Sequence, residues 1–199
     1  ITVDPGTYTE ALLIRKDGIT LRAAHTGAHD TILVPPATAD NLCTQLNGAI
    51  SGVCVVAKVA DQMGNVITPV NDVTVDGLVI NDFGAFGVFG FGVDDFTVRR
   101  VSANNDGAYG LVAFNSSKVT FTDNRTTRAT EAGIYLGDSP HADATIRDNV
   151  SWDNQFGIFV RHARSVTVKD NTTTANCVGI MVLDEGQPGG VGNVSIRDN

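Results

Sequence analysis

The sequence predicts an all-β solenoid, a single-stranded parallel β-helix of about seven coils, from three marks that recur with one period. A first segment returns at Val73, Phe96, Val119, Ala144, Val166 and Val194, each followed by Thr or Ser and then an apolar residue; the starts lie 23, 23, 25, 22 and 28 residues apart. A second segment returns in phase at Gly87, Gly110, Gly133, Gly157 and Gly179, spaced by 23, 23, 24 and 22 residues. The third mark is an Asp-Asn pair after the first segment, at Asp123-Asn124, Asp148-Asn149, Asp170-Asn171 and Asp198-Asn199. Apolar and polar residues alternate over four or five positions and then meet Gly, Asn or Asp, which is strand spacing. Helical repeats need longer runs and units above about 30 residues, and leucine-rich repeats need Leu at fixed offsets. Stacked coils of two or three short parallel strands fit all three marks.

Each stretch of the chain takes a place in this scheme, and residues 1–199 read as one domain. Residues 1–22 form a first coil: Ile1 and Val3 alternate, Pro5-Gly6 turns, and Leu12 to Ile14 and Ile19 to Leu21 supply strands. Residues 23–70 break the period. Pro35-Pro36 ends a strand, a loop runs to about Gly52, and Gly52-Val53-Cys54-Val55-Val56 resumes the second-segment pattern. Such a loop walls a groove or covers the adjoining core. Residues 71–199 form regular coils of about 23 residues and stop inside a repeat, so the chain reads as truncated at its C-terminal end. It begins at Ile1 without a charged-then-apolar leader.

Periodicity assigns the faces. Val75, Val98, Phe121, Ile146 and Val168 of the first segment should point inward, as should Ile134, Leu136, Ile158, Val160, Ile180 and Val182 of the second. Equivalent residues of stacked coils lie about 4.8 Å apart, so every column is a ladder. Asn124, Asn149, Asn171 and Asn199 should stack as an inward ladder, because Asn tolerates left-handed φ and its amide bonds to the coils above and below. The apparent glycosylation sequons at these asparagines then carry little weight. The outward Thr column of the first segment, and the mostly basic column beside it, read as a solvated face.

Cys43 and Cys54 bracket the irregular loop, and Cys54 falls on an outward column that a returning loop can meet. A disulfide is the natural reading in an oxidising compartment. Cys177, the third cysteine, reads as a buried free thiol. No metal site and no cofactor are expected, since no Cys/His pair has ligand spacing. Asp and Glu number 22 against 14 Lys and Arg, a net charge of −8. This argues against a nucleic-acid partner, which demands a basic face. No stretch approaches the roughly 18 apolar residues of a membrane span.

An apolar strand followed by Pro5-Gly6-Thr7-Tyr8-Thr9-Glu10 resembles the opening coil of right-handed parallel β-helix proteins of the pectate-lyase-like superfamily. The repeats of residues 71–199 are similar to those of secreted β-helix proteins and of the NosD-like periplasmic family. The run from Tyr135 to Asp143 and the run Asn176-Cys177-Val178-Gly179-Ile180 are similar to uncharacterised secreted β-helix proteins of Gram-positive bacteria. The resemblance implies a right-handed coil and a secreted or cell-surface location. It implies no single reaction, because sites are grafted onto this fold independently of its architecture. His141, in Asp138-Ser139-Pro140-His141-Ala142-Asp143, loosely resembles the Asp-Pro-His-Asp motif of alginate epimerases, with inserted residues that break its spacing. Asp94-Asp95 resembles the paired aspartates of polygalacturonases, whose other motifs are missing.

The candidate site lies on the second-segment face. Its outward column is Phe89, Val112, Tyr135, Phe159 and Met181, with Phe91, Phe114, Gly137, Arg161 and Leu183 alongside. Exposed aromatic ladders are unusual on a soluble strand face, and sugar rings stack on them. Tyr135 and Phe159 are the candidate platforms, and Arg161 the candidate partner for a uronate carboxylate. Asp138, His162 and Asp184 close the same strands on successive coils and are the candidate acid/base groups. The function expected is an extracellular β-helix that binds polysaccharide. If it is also an enzyme, a lyase or glycoside hydrolase is expected. The alternatives are a non-catalytic binding or cell-surface module, favoured by a covered aromatic column, and a NosD-like accessory protein.

Overall fold

The computed structural model describes residues 1–27, 29–186 and 189–199. Strands β1 (Thr2–Val3), β2 (Gly6–Thr9) and β3 (Leu12–Ile14) make the first coil. The second holds β4 (Ile19–Ala23), β5 (Thr31–Val34), helix α1 (Leu42–Asn47) and β6 (Val53–Val56), and is followed by a hairpin of β7 (Val59–Ala60) and β8 (Val66–Thr68). Three regular coils come next: β9 (Val70–Asp76), β10 (Val79–Asn81) and β11 (Phe86–Phe91); β12 (Val93–Arg99), β13 (Ser102–Asn104) and β14 (Tyr109–Phe114); β15 (Ser117–Thr122), β16 (Arg125–Thr127) and β17 (Ala132–Ser139). The sixth coil has β18 (Ala144–Arg147), β19 (Val150–Trp152) and the start of β20 (Phe156–Lys169), a strand that runs through a corner into the seventh. β21 (Thr172–Thr174), β22 (Val178–Leu183) and β23 (Gly192–Arg197) complete the described part. The coil count is about eight, one more than the period suggested.

Strands pair only with their counterparts in the coils above and below, and every pairing in the solenoid is parallel. One face is built from the first segments, one from the second, and a third from the short strands β2, β5, β10, β13, β16, β19 and β21. The register matches the sequence repeat: Val98 faces Val75 and Phe121, and Leu136 faces Ala113 and Val160. Inward positions form one continuous core that includes Val75, Val98, Phe121, Ile134, Leu136, Ile146, Ile158, Val160 and Val168. Ile180 and Val182 pack against that core but are only half-buried, since they belong to the last complete coil.

The inward Asn ladder closes the corner after the first segment. Asn149 Oδ1 accepts the Asn124 N–H (2.9 Å) and Asn124 Nδ2–H (3.0 Å), and Asn171 Oδ1 accepts the same two donors from Asn149. Asn199 repeats the pattern on Asn171. A second ladder, which the repeat marks did not reveal, runs at another corner: Asn176 Oδ1 accepts the Asn154 N–H, Asn154 Oδ1 the Ala129 N–H, and Asp106 Oδ1 the Phe83 N–H.

The end of the second-segment strands turns through a left-handed residue in four successive coils. Gly92, Asn115, Asp138 and His162 have φ of 64°, 46°, 48° and 47°. Gly adopts this conformation freely, and Asn, Asp and His are the other types enriched there. The polar character of this column is therefore set first by backbone geometry. Two sequence expectations need correction. Cys177 is free but exposed, because it lies in the turn before β22 at the less covered end of the solenoid. The outward aromatic column of the second segment is covered.

Candidate functional site

That column is in register from Cys54 through Phe89, Val112, Tyr135 and Phe159 to Met181. Tyr135 and Phe159 were expected as open platforms, yet only 2% and 6% of their surface is accessible. Two things cover them. Neighbouring rings lean inward: Tyr109 lies 4.7 Å and Phe114 5.0 Å from Tyr135, and Phe156 lies 4.9 Å from Phe159. The Tyr135 ring also folds over Gly137, where a Cβ would come within 2.4 Å of its hydroxyl, so only glycine leaves room for it. Phe86, Tyr109 and Phe156 precede the repeat glycines, and this second aromatic column was the signal in the sequence that the outward rings have partners.

At the N-terminal end the cover is α1. Asn41 caps it, its side chain accepting the Cys43 and Thr44 N–H groups at 3.0 and 3.1 Å, and Gly48 ends it at a φ of 72°. Cys43, on the helix, is disulfide-bonded to Cys54 on the sheet, as the bracketing of the loop suggested. Closing so short a loop is worth about 2–3 kcal/mol. Cys54→Ser should therefore lower stability by that amount, read from denaturant midpoints. Thiol titration of unreduced, denatured wild-type protein should find one free thiol, that of Cys177.

The helix and the β7–β8 hairpin stand apart as two walls, and between them runs a groove of about 800 Å³. Its floor is Val56, Phe89, Phe91 and Phe114, and Asn115 and Asp138 stand at its far end. Phe91 and Phe114 remain half-exposed there. The hairpin is held by Asp61, whose carboxylate accepts the Met63 and Asn65 N–H groups and the Asn65 side-chain amide. These bonds, the amide's foremost, keep its carboxyl below the usual range. Residues 23–70 thus both cover part of the face and wall the groove.

The ionisable candidates are only partly brought together. His162 is buried; its Nδ1 lies 3.1 Å from Asp138 Oδ1, and its Nε2 accepts the Glu185 N–H at 3.3 Å. With Nε2 accepting, Nδ1 is assigned as the donor to Asp138, which makes His162 a bridge between coils. Asp184 turns away: its carboxylate accepts the Gly186 and Val191 N–H groups, which hold its pKa below the ordinary value. Arg161 binds Glu185, with Nε 2.9 Å from Oε2, instead of standing open for a uronate. Burial pushes the Tyr135 hydroxyl's pKa upward, and it does the same for Tyr109 beside Glu131. Of these groups Asp138 alone combines a groove-facing position with a carboxylate that is 43% exposed and uses one oxygen on His162. His141 is exposed and lies outside the groove, next to Asp143 and Arg164. Asp94 binds Ser117 and Lys118 on the first-segment face. Among the described residues no group of three or more His, Cys, Asp or Glu side chains is placed to hold a metal ion. No helix among them is long and apolar enough to cross a membrane.

Comparison with known proteins agrees with this architecture. The family model described as right handed beta helix region matches residues 48–199. The chain belongs to the right-handed β-helix family. No curated protein matches it in sequence. Among solved structures, pectate lyase Pel9A superposes with a TM-score of 0.64 at 15% identity, over 85% of this chain and 44% of the lyase. The A-module of the Azotobacter vinelandii mannuronan C-5 epimerase AlgE4 superposes with a TM-score of 0.58 at 15% identity, over 98% of this chain and 66% of the module. XylC, solved in complex with xylose, gives 0.55 at 12% identity, over 92% and 33%. At these identities the likeness is one of fold, and the chain spans less than two thirds of each of these proteins.

Proposed function

We propose that this β-helix domain is an extracellular carbohydrate-binding domain that seats a polysaccharide in the groove between α1 and the β7–β8 hairpin. The observation that carries the reading is the pair of half-exposed rings, Phe91 and Phe114, on a floor flanked by two walls. An aromatic ring gains by covering the apolar face of a sugar. Phe89 and Tyr135 pack against Phe114, and Asp138 and Asn115 supply polar contacts at the end of the floor. The structural neighbours include proteins named for action on pectate and mannuronan, which is consistent with a carbohydrate ligand. The Cys43–Cys54 bond fits a secreted or cell-surface protein, since disulfides persist in oxidising compartments.

Binding is favoured over cleavage because His162 has both ring nitrogens engaged and the Asp184 carboxylate is occupied by backbone donors. A lyase or hydrolase reading would rest on Asp138. The test is a panel of neutral and acidic polysaccharides, assayed for retention on the protein and for new reducing ends or unsaturated products. Retention without new ends is the expected result. Phe91→Ala and Phe114→Ala, with their fold checked by circular dichroism, should each weaken binding by about tenfold or more, the size of one lost stacking contact. Retention that is unchanged in both variants overturns the groove as the binding site.

A further inference from the structure

Resting on the groove as the carbohydrate site, we infer that it selects neutral glycans and rejects polyuronates. The grounds are the charges that line it. The groove has two cationic side chains, Arg15 and Lys58, and both are committed to the protein. Arg15 donates from Nη2 to the main-chain oxygens of Ala57 (3.3 Å) and Lys58, which fixes it behind the start of the hairpin. Lys58 is paired with the Asp17 carboxylate. Arg161, on the same face beyond Asp138, is paired with Glu185. A uronate entering the groove would therefore meet Lys58 already neutralised by Asp17 and Arg15 already turned to main-chain carbonyls.

The groups with capacity to spare are of the other kind. Asp138 uses Oδ1 on His162, and Oδ2 makes no hydrogen bond among the described residues. The His162 Nδ1 holds that first oxygen, which leaves the second turned to the groove. Next to it in the left-handed column, the Asn115 side chain is exposed and makes no hydrogen bond among the described residues. A carboxylate oxygen and an amide beside an aromatic floor accept from and donate to sugar hydroxyls. The same carboxylate repels a sugar that carries its own, and the net charge of −8 adds to that repulsion at longer range.

The experiment uses one polymer in two charge states: polygalacturonate oligomers and the same oligomers after carboxyl reduction, titrated against the intact chain by calorimetry at low salt. The reduced, neutral form is expected to bind at least about tenfold more tightly, since a like charge within a few ångströms opposes binding of the acidic form. Raising the ionic strength should improve the acidic ligand and leave the neutral one unchanged, because salt screens the repulsion. Asp138→Asn should narrow the gap between the two. Equal or tighter binding of the acidic oligomer, lost in Phe114→Ala, overturns the selectivity and leaves the groove as the site. Failure of both forms and of neutral gluco- and xylo-oligosaccharides to bind overturns the carbohydrate reading itself, and the selectivity with it.

Discussion

Asp106→Asn is expected to make the protein markedly more stable at pH 9 and to leave its stability nearly unchanged at pH 4. Asp106 is 1% exposed, and burial pushes its carboxyl pKa up from 3.8 to about 8. Its Oδ1 accepts the Phe83 N–H at 3.1 Å, but Oδ2 has no hydrogen-bond partner. The reason lies in the second corner ladder. In its other coils Asn154 and Asn176 fill the column, and Asn154 donates its amide to Ser151, to the Trp152 carbonyl and to Asn176. Asp106 has Ala103 in place of that serine and Ala129 in place of the next asparagine, so nothing donates to its second oxygen. A carboxyl with a raised folded-state pKa destabilises the fold progressively as pH rises from its unfolded value to its folded one. The loss here develops between about pH 4 and pH 8 and reaches at most on the order of 5 kcal/mol. Asparagine keeps the acceptor for Phe83, never ionises, and places a donor two residues beyond the Asn104 carbonyl. Urea midpoints of both proteins at pH 4, 6 and 9 check this: the curves should converge at acid pH and separate steadily above it. Parallel curves would mean that Asp106 does not ionise across this range.

The elements that were legible in the sequence are those whose environment repeats. Val98, Phe121 and Ile146 meet the same neighbours above and below, so one residue class recurs at one spacing and the period is visible by inspection. Asn124, Asn149 and Asn171 were legible for the same reason. The second corner ladder was not, because Ala129 and Asp106 interrupt it and only Asn154 and Asn176 remain. The coverage of Tyr135 and Phe159 was hidden differently. Strand alternation says which side chains leave the core, but not whether they meet water. Here the rings are covered by Tyr109, Phe114 and Phe156 in neighbouring columns, while α1 covers the N-terminal end of the same column at Cys54. The Cys43–Cys54 pairing was the one local clue that the loop returns to that face. His162 and Asp138 attracted a catalytic reading by residue type. Their left-handed backbone explains the types first, and only Asp138 retains an oxygen for a ligand. The groove itself depends on where the hairpin of residues 59–68 stands, which no repeat spacing encodes.

Asn149→Ala should be the most damaging single polar substitution in the solenoid. Asn149 sits in the middle of the inward ladder with its side chain fully used. Its Oδ1 accepts from the Asn124 main chain and side chain, and its Nδ2 donates to the Phe121 carbonyl (3.0 Å) and to Asn171 Oδ1 (2.9 Å). Alanine removes four hydrogen bonds at once and strands the Asn124 N–H, the Phe121 carbonyl and part of Asn171 in a corner that water does not reach. Each stranded buried group costs about 1–3 kcal/mol, so a total loss of about 4 kcal/mol or more is expected. Asn149→Asp tests the same contacts by charge: it keeps the acceptor, loses the donor to Phe121, and sets an acidic oxygen against Asn171 Oδ1, so it should rescue little. The control is Asn105→Gly, at an exposed turn where glycine keeps the left-handed φ of 59° and only the bond to Asp82 is lost, with an expected cost under about 1 kcal/mol. Because each coil is stabilised mainly by its neighbours, the damage should also be local. Hydrogen exchange should quicken first in the strands on either side of the altered corner, β15, β18 and β20, while the disulfide-tethered coil around β6 keeps its protection. A uniform rise in exchange along the whole solenoid would show instead that the ladder holds the fold together as one cooperative unit.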